Sequence, residues 1–273
     1  MIDCVFRRDG DFFIPTEGAS SPWGARALHG GPPAGLLARA IERHAPDPAM
    51  QVSRLTIDLF RAVPQAPLSV TTEVVREGRR ILAVQASLMA EGVEVSRATG
   101  LLLRHTEVDV PDHHLPPGIE HPGPEGFETT GLSTVFGADG KPEQRMSSLP
   151  GFHTLIEVRR VGGRPGSGRA TAWIRIPVPL VEGEETTPLV RLAATSDFGN
   201  ALGSIRASSR TGFINADITL YVHRLPVGEW ICLDTRGAAQ PHGVGLMQTT
   251  VYDPEGSVGI VAQAVLANQR AGE

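Results

Sequence analysis

The 273-residue sequence carries one pattern twice. Ile57-Asp58-Leu59-Phe60-Arg61-Ala62-Val63-Pro64 is a strand-like run that ends in proline. Thr219-Leu220-Tyr221-Val222-His223-Arg224-Leu225-Pro226 is another, with its proline 162 positions after the first. Each leads into strand-rich sequence that meets a turn, at Ala90-Glu91-Gly92 and at Pro254-Glu255-Gly256, and the two glycines are 164 positions apart. An apolar strand follows each turn, and a helical segment precedes each block, over 32–44 and 187–205. A near-constant offset across several landmarks predicts tandem duplication. The polar residues that differ between the copies are then the place to look for chemistry.

Within the first copy, Leu36, Leu37, Ala40 and Ile41 recur at helical spacing. Pro32-Pro33 fits the first turn of that helix, where proline is tolerated. Phe12 to Thr16 reads as a short strand, and 20–31 reads as a loop. Strands are expected near 50–62, 67–78, 79–90 and 93–104. The second copy begins near Phe152 and continues with a strand over 170–176 and the helix over 187–205. Its later strands are expected near 212–224, 229–237, 243–252 and 258–269. Between the copies, 105–150 is rich in proline and glycine and reads as a connection, since so long a structureless loop inside one domain would be unusual. One helix followed by a long antiparallel meander, given twice, predicts an α+β chain. The expected form is a double hot dog: two tandem units, each an antiparallel sheet wrapped around a central helix. Pairing the two sheets edge to edge would also hide their edges. The expected division is 1–104, 105–150 and 151–273.

Bulk properties exclude several classes. The net charge of −5 gives no basic footprint for nucleic acid and no polybasic patch for a membrane surface. Cys4 and Cys232 form neither a disulfide framework nor a metal-ligand spacing, so a reducing cytoplasm is the default. Asp3, Arg7, Arg8 and Asp9 leave no apolar signal-peptide core, and no apolar run is long enough to predict a transmembrane helix. Asp112-His113-His114 and His121 lack regular spacing, so no metal is expected. The glycine-rich stretch 162–168 has no phosphate-loop lysine and reads as a hairpin turn. No G-x-S-x-G elbow is present.

Two polar residues fall on faces that are otherwise apolar, and two more stand in a strand where an apolar residue would be easier. Val190, Ala193, Ala194, Asp197 and Ala201 share one helical stripe, and a carboxylate there is costly unless hydrogen-bonded. The plainer alternative is that Asp197 ends a helical turn near Gly199 with its carboxylate in water. Asn215 and Asp217 interrupt a strand, although both are poor strand formers; an exposed polar face is the plainer reading for each. Gln263 interrupts the face formed by Val261, Val265 and Ala267. Asp197, Asn215 and Gln263, on one helix and two strands, could converge to hold a water, with the carboxylate as general base and the amides fixing its position. His29-Gly30-Gly31, at a helix N-terminus, allows close backbone approach suited to an anionic or carbonyl oxygen. His29 by itself is equally well read as a capping or packing residue.

The stretches Ala194-Thr195-Ser196-Asp197, 215–224 and Ile260-Val261-Ala262-Gln263 resemble the C-terminal half of acyl-CoA thioesterase II-type proteins. His29-Gly30-Gly31 and Phe60-Arg61-Ala62-Val63-Pro64 resemble their N-terminal half. The resemblance implies a double hot dog that hydrolyses acyl-CoA, of medium or long chain, without a cofactor. It also implies that Asp197, Asn215 and Gln263 bind the attacking water, although the family has Thr or Ser where Asn215 stands. His29, Gly30 and Gly31 would then bind substrate, in a cytoplasmic protein of lipid metabolism. Further pairing into a homo-oligomer is common in such folds but is not written in the sequence. Two other readings are open: an acyl-CoA- or lipid-binding protein without catalysis, and an enoyl-thioester hydratase on the same fold. The hydratase reaction wants an Asp/His pair, and in sequence no histidine accompanies Asp197.

Overall fold

The computed structural model describes residues 2–22, 24–132, 134–136, 142–144, 149–164, 166–206 and 211–269. Parts of the expected connection (133, 137–141 and 145–148), Pro165 in the expected hairpin turn, and 270–273 of the second unit lie outside the described residues.

The chain opens with β1 (Phe6–Asp9), β2 (Phe12–Pro15), β3 (Ser20–Ser21), β4 (Gly24–Leu28) and α1 (Gly31–Glu42). Four long strands follow: β5 (Met50–Leu59), β6 (Leu68–Arg76), β7 (Ile81–Ala90) and β8 (Val93–Arg104). Next come β9 (Thr134–Phe136), β10 (Pro142–Gln144), α2 (Phe152–Leu155), β11 (Glu157–Arg164) and β12 (Arg169–Arg175). The last part holds α3 (Pro188–Ser196), α4 (Phe198–Leu202), β13 (Thr211–Asn215), β14 (Asp217–Val222), β15 (Ile231–Ala239), β16 (Val244–Asp253) and β17 (Gly256–Gln269).

Among the described residues, thirteen strands form one antiparallel sheet in the order β1-β2-β6-β7-β8-β5-β14-β17-β16-β15-β12-β11, with β13 also on β17. Outward from the β5–β14 seam, each side runs through the strand after the long helix, then the last strand, then two meander strands, then the hairpin that precedes the helix. At the seam Leu55 faces Leu220, Thr56 faces Thr219 and Ile57 faces Ile218. Thr56 and Thr219 are 163 residues apart, between the two offsets read from the sequence. The seam gives β5 and β14 a partner on each side, so neither is a free edge.

Alternation explains the long strands. Along β7, buried and half-buried residues alternate without a break, as a sheet with one face on a core requires. That core is continuous across the seam and joins Leu36, Leu37 and Ile41 of α1 to Leu55, Ile57, Ile218, Leu220 and Leu192. The two long helices pack against each other in opposite directions. Gly31, at the start of α1, meets Ala194 near the end of α3, while Glu42, at the end of α1, accepts a 2.6 Å hydrogen bond from Thr187 at the start of α3. On the opposite face of the second half, Trp173, Cys232 and Tyr252 form a separate apolar cluster. The proline-rich connection covers it: Ile119 and Phe127 pack there, and the Trp173 indole donates to the Pro122 carbonyl at 2.9 Å.

Four local expectations change. The segment 20–31 is not all loop, because it contains the β3–β4 pair. A hairpin partner for β2, over Phe6–Asp9, was not anticipated. The helix expected over 187–205 divides at Asp197 into α3 and α4. Thr195 and Ser196 donate their hydroxyls back to the carbonyls of Arg191 and Ala193, and such bonds loosen and bend a helix. The strand expected over 212–224 divides at Ala216, where the Asp217 carboxylate accepts the Ala264 N–H that the ladder would otherwise use.

Gly100 on β8 tests how tightly α1 is seated. A Cβ there would lie 2.3 Å from Ile41 Cγ2. Gly100→Ala is expected to destabilise the fold by about 1–3 kcal/mol through overpacking, measured by urea denaturation.

Candidate active site

The expected residues of helix, strand and loop meet around one carboxylate. Asp197 sits at the α3–α4 junction and is 8% exposed. Its Oδ2 lies 2.8 Å from His29 Nδ1. Its Oδ1 accepts a 2.9 Å hydrogen bond from Asn215 Nδ2 at the end of β13. The Gly31 N–H also bonds the carboxylate. That N–H lies 3.2 Å from His29 Nδ1 as well. A ring nitrogen that donates to an anion has no lone pair to accept with, and the charged acceptor is the stronger one; the Gly31 N–H therefore belongs to Asp197.

These donors decide the charge state. Burial alone would raise the Asp197 carboxyl, but the electrostatic pull of the His29 ring and the hydrogen bonds from His29, Asn215 and Gly31 outweigh it. The carboxyl is held below its ordinary value of 3.8, so Asp197 is an anion at neutral pH. The alternative with this carboxylate in water is excluded by its burial. Gly30 presses on it from one side, where a Cβ would lie 2.8–2.9 Å from all three carboxyl heavy atoms.

The start of α1 thus does bind an anionic oxygen, but that oxygen belongs to the protein. Pro32 and Pro33 carry no N–H, the Ala34 N–H bonds the Gly30 carbonyl, and Gly31 serves Asp197. Within this first turn, no N–H of residues 31–34 remains for a substrate.

Gln263 is 1% exposed on β17. Its strand neighbour Val265 is paired with Asn215, so by the two-residue period Gln263 and Asn215 share a sheet face. Among the described residues, neither end of its amide has a hydrogen-bond partner. Gly199, two residues beyond Asp197, lies directly over it: a Cβ on Gly199 would be 2.7 Å from Gln263 Oε1 and 2.8 Å from Thr249 Oγ1.

Sequence reasoning missed five contributors. Asn200 donates to the Phe213 carbonyl at 3.2 Å and to Asn215 Oδ1 at 3.5 Å, which turns the Asn215 NH2 toward Asp197. Thr249 shares a 2.8 Å hydrogen bond with Thr235. Phe152 and Phe198 stack on each other, and their ring centroids lie 5.5 Å and 4.7 Å from that of His29. The spacing of Asn200 from Asp197, one helical turn, was the available signal for it; the strands of Thr235 and Thr249 gave none. His29 was anticipated at the site, but not as the partner of Asp197. Contrary to the expectation from sequence, a histidine does accompany Asp197, and it comes from the other half of the chain.

The acyl-CoA thioesterase C-terminal domain family matches residues 130–267, and the acyl-CoA thioesterase N-terminal domain family matches residues 19–103. The chain belongs to the acyl-CoA thioesterase family. The enzyme is therefore an acyl-CoA thioester hydrolase. Its fold is shared with solved hot-dog structures. A protein from Novosphingobium aromaticivorans assigned as a thioesterase is 20% identical, with 96% of this chain and 98% of that chain covered and a TM-score of 0.68. An acyl-CoA thioesterase II from Mycobacterium marinum is 15% identical, covering 98% and 95%, with a TM-score of 0.63. A hot-dog-fold protein of unknown function from Alicyclobacillus acidocaldarius is 15% identical, covering 97% and 96%, with a TM-score of 0.63. None of the curated proteins matches the sequence. No helix among the described residues is long and apolar enough to cross a membrane.

At the other end of the helix pair, a crevice of about 80 Å³ is lined by Arg39, Glu42, Glu184 and Thr187. The enzyme closes it with the Arg39–Glu184 pair, bonded through both guanidinium nitrogens at 2.7 and 2.6 Å. None of the expected site residues lies there.

Two outcomes test the carboxylate's setting. Gly30→Ala is expected to displace Asp197 and lower kcat/KM at least tenfold, an ångström-scale misplacement being enough for such a loss; steady-state thiol release measures it. The depressed Asp197 carboxyl means that the unfolded chain binds its proton more readily than the folded one. Its contribution to stability is therefore present above the unfolded value of about 3.8 and is lost as pH falls through the lower folded value. Asp197→Asn is expected to remove that acid-side loss, measured by urea unfolding from pH 3 to 7.

Proposed function

We propose that the enzyme hydrolyses medium- or long-chain acyl-CoA to fatty acid and CoA, with the attacking water held by Asp197, Asn215 and Gln263. The observation that carries this is the ionised Asp197–Asn215 pair beside a buried amide, Gln263, with both ends unpartnered. Buried amides are ordinarily satisfied, and one that is not suits a site where water or a carbonyl binds. In this reading Asn215 replaces a hydroxyl by an amide donor, and Asn200 supplies the N–H that its other end needs. His29, Gly30 and Gly31 form the wall of the site contributed by the first half. The acyl chain lies between helix and sheet, as the fold suggests.

The same reading takes the chain as two tandem hot-dog units, 1–104 and 151–273, joined by 105–150. Support comes from the strand order, which repeats outward from the seam. At the positions 163 residues before Asn215 and Gln263 stand Val52 and Gly100. The first unit thus has an apolar residue and a glycine where the second has polar amides. Cys4 and Cys232 are both free, which suits a reducing cytoplasm, and the acyl-CoA thioesterase families matched suit an enzyme of lipid metabolism.

The His29–Asp197 pair gives the hydratase reading a specific observation in its favour. The two reactions separate cleanly: hydrolysis releases thiol, whereas hydration removes the enoyl chromophore and releases none.

Thiol release from acyl-CoAs of increasing chain length, with Asp197→Ala beside wild type, tests the proposal. Turnover rising to a maximum at medium or long chains, and reduced at least a hundredfold by Asp197→Ala, is the expected result. Thiol release that Asp197→Ala leaves intact would remove Asp197 from the mechanism.

A further inference from the structure

The Asp197 carboxylate is well placed to be an anion and poorly placed to take up a proton. Oδ2 faces His29 Nδ1 at 2.8 Å, Oδ1 accepts from Asn215 at 2.9 Å, and the Gly31 N–H adds a third donor. Every one of these bonds favours the charged form, so protonating Asp197 would weaken three at once. The ring of His29 is fixed by the same contact. With Nδ1–H given to the carboxylate, the neutral imidazole carries its lone pair on Nε2. Phe152 from α2 and Phe198 from α4 hold the ring in place.

We propose that His29 is the catalytic base, its Nε2 taking the proton of the attacking water while Asp197 orients the ring through Nδ1. The proposal rests on the hydrolytic reading above and deepens it. As the water oxygen bonds to the thioester carbon, one water proton passes to Nε2 and the carbonyl π electrons move to oxygen. When the tetrahedral intermediate collapses, the carbon–sulfur bond breaks, and the leaving thiolate takes the proton back from Nε2. The products are the carboxylic acid and CoA thiol, and Nδ1–H stays on Asp197 throughout. The imidazolium formed in the first step sits against the Asp197 anion in a site with little water, so its charge is stabilised where it appears. Of the charged groups among the described residues, Asp197 is the one paired with this ring. Its other contacts, Gly31, Phe152 and Phe198, are uncharged, and His153 is the neighbouring titratable residue on α2.

His29→Asn is the deciding variant, because an asparagine amide can still donate to Asp197 from near the Nδ1 position but has no basic nitrogen. The expected result is a fall in kcat of about 10²–10⁴-fold with KM within about threefold of wild type. The residual rate should climb with hydroxide and show no plateau, and added imidazole should restore rate in proportion to its concentration. A kcat within about fivefold of wild type overturns the proposal, as does a large loss that leaves the shape of the pH profile unchanged. Should His29→Asn not fold, by circular dichroism and thermal melting, His29→Gln carries the same two readouts. If wild type itself releases no thiol from any acyl-CoA, the hydrolytic reading fails first, and the base assignment falls with it.

Discussion

A carboxylate taken out of water loses several kcal/mol of hydration unless donors replace it. At Asp197 the replacement comes from three places in the chain: His29, two residues before α1, Gly31, the first residue of α1, and Asn215, the last residue of β13. Two of these belong to the first half and one to the second. Satisfying a single charge therefore fixes the start of one helix, the end of the other and the end of a strand relative to each other. The rest of the site is arranged around that requirement. The α3–α4 break lets the chain turn Asp197 inward, and the hydroxyl bonds of Thr195 and Ser196 make the break where it is needed.

Close approach is the second constraint, and it is met by removing side chains. Gly30 leaves room for the carboxylate, Gly31 for the Ala194 carbonyl, and Gly199 for Gln263 and Thr249. Gly30 has an ordinary right-handed backbone conformation, with φ of −64°, so its need for glycine comes from space alone. Pro32 and Pro33 complete the arrangement, since α1 begins with few N–H groups to satisfy and its entry angle is stiff. A helix start that looks from its sequence like a binding site for a substrate oxygen is thereby spent on an internal one.

The legible parts of this molecule are those governed by period. The strands of 81–90 and 93–104 follow from alternation, and α1 from its apolar stripe. Asp197 and Gln263 stand out in the sequence because each interrupts an apolar face, and both are buried; Asn215 stands out only as a poor strand former within a strand. What period cannot show is who meets whom. His29 and Asp197 lie in different halves, and nothing local to either announces the other. The break after Ser196 depends on hydroxyl groups choosing backbone partners, which an apolar pattern does not record. The proline-rich connection read as structureless because part of its order comes from packing on Trp173, Cys232 and Tyr252 beneath it, and the rest from the short β9–β10 pair and isolated turns that no periodic pattern records.

Because the histidine and its carboxylate come from opposite halves, the His29–Asp197 contact forms only after the two halves have come together. During synthesis the first half emerges with its histidine long before the second supplies an acid. Seam closure is a contact between distant parts of the chain, late and slow by the ordinary rules of topology. Until then the nascent polypeptide has a helix and most of a sheet, but a histidine without its carboxylate.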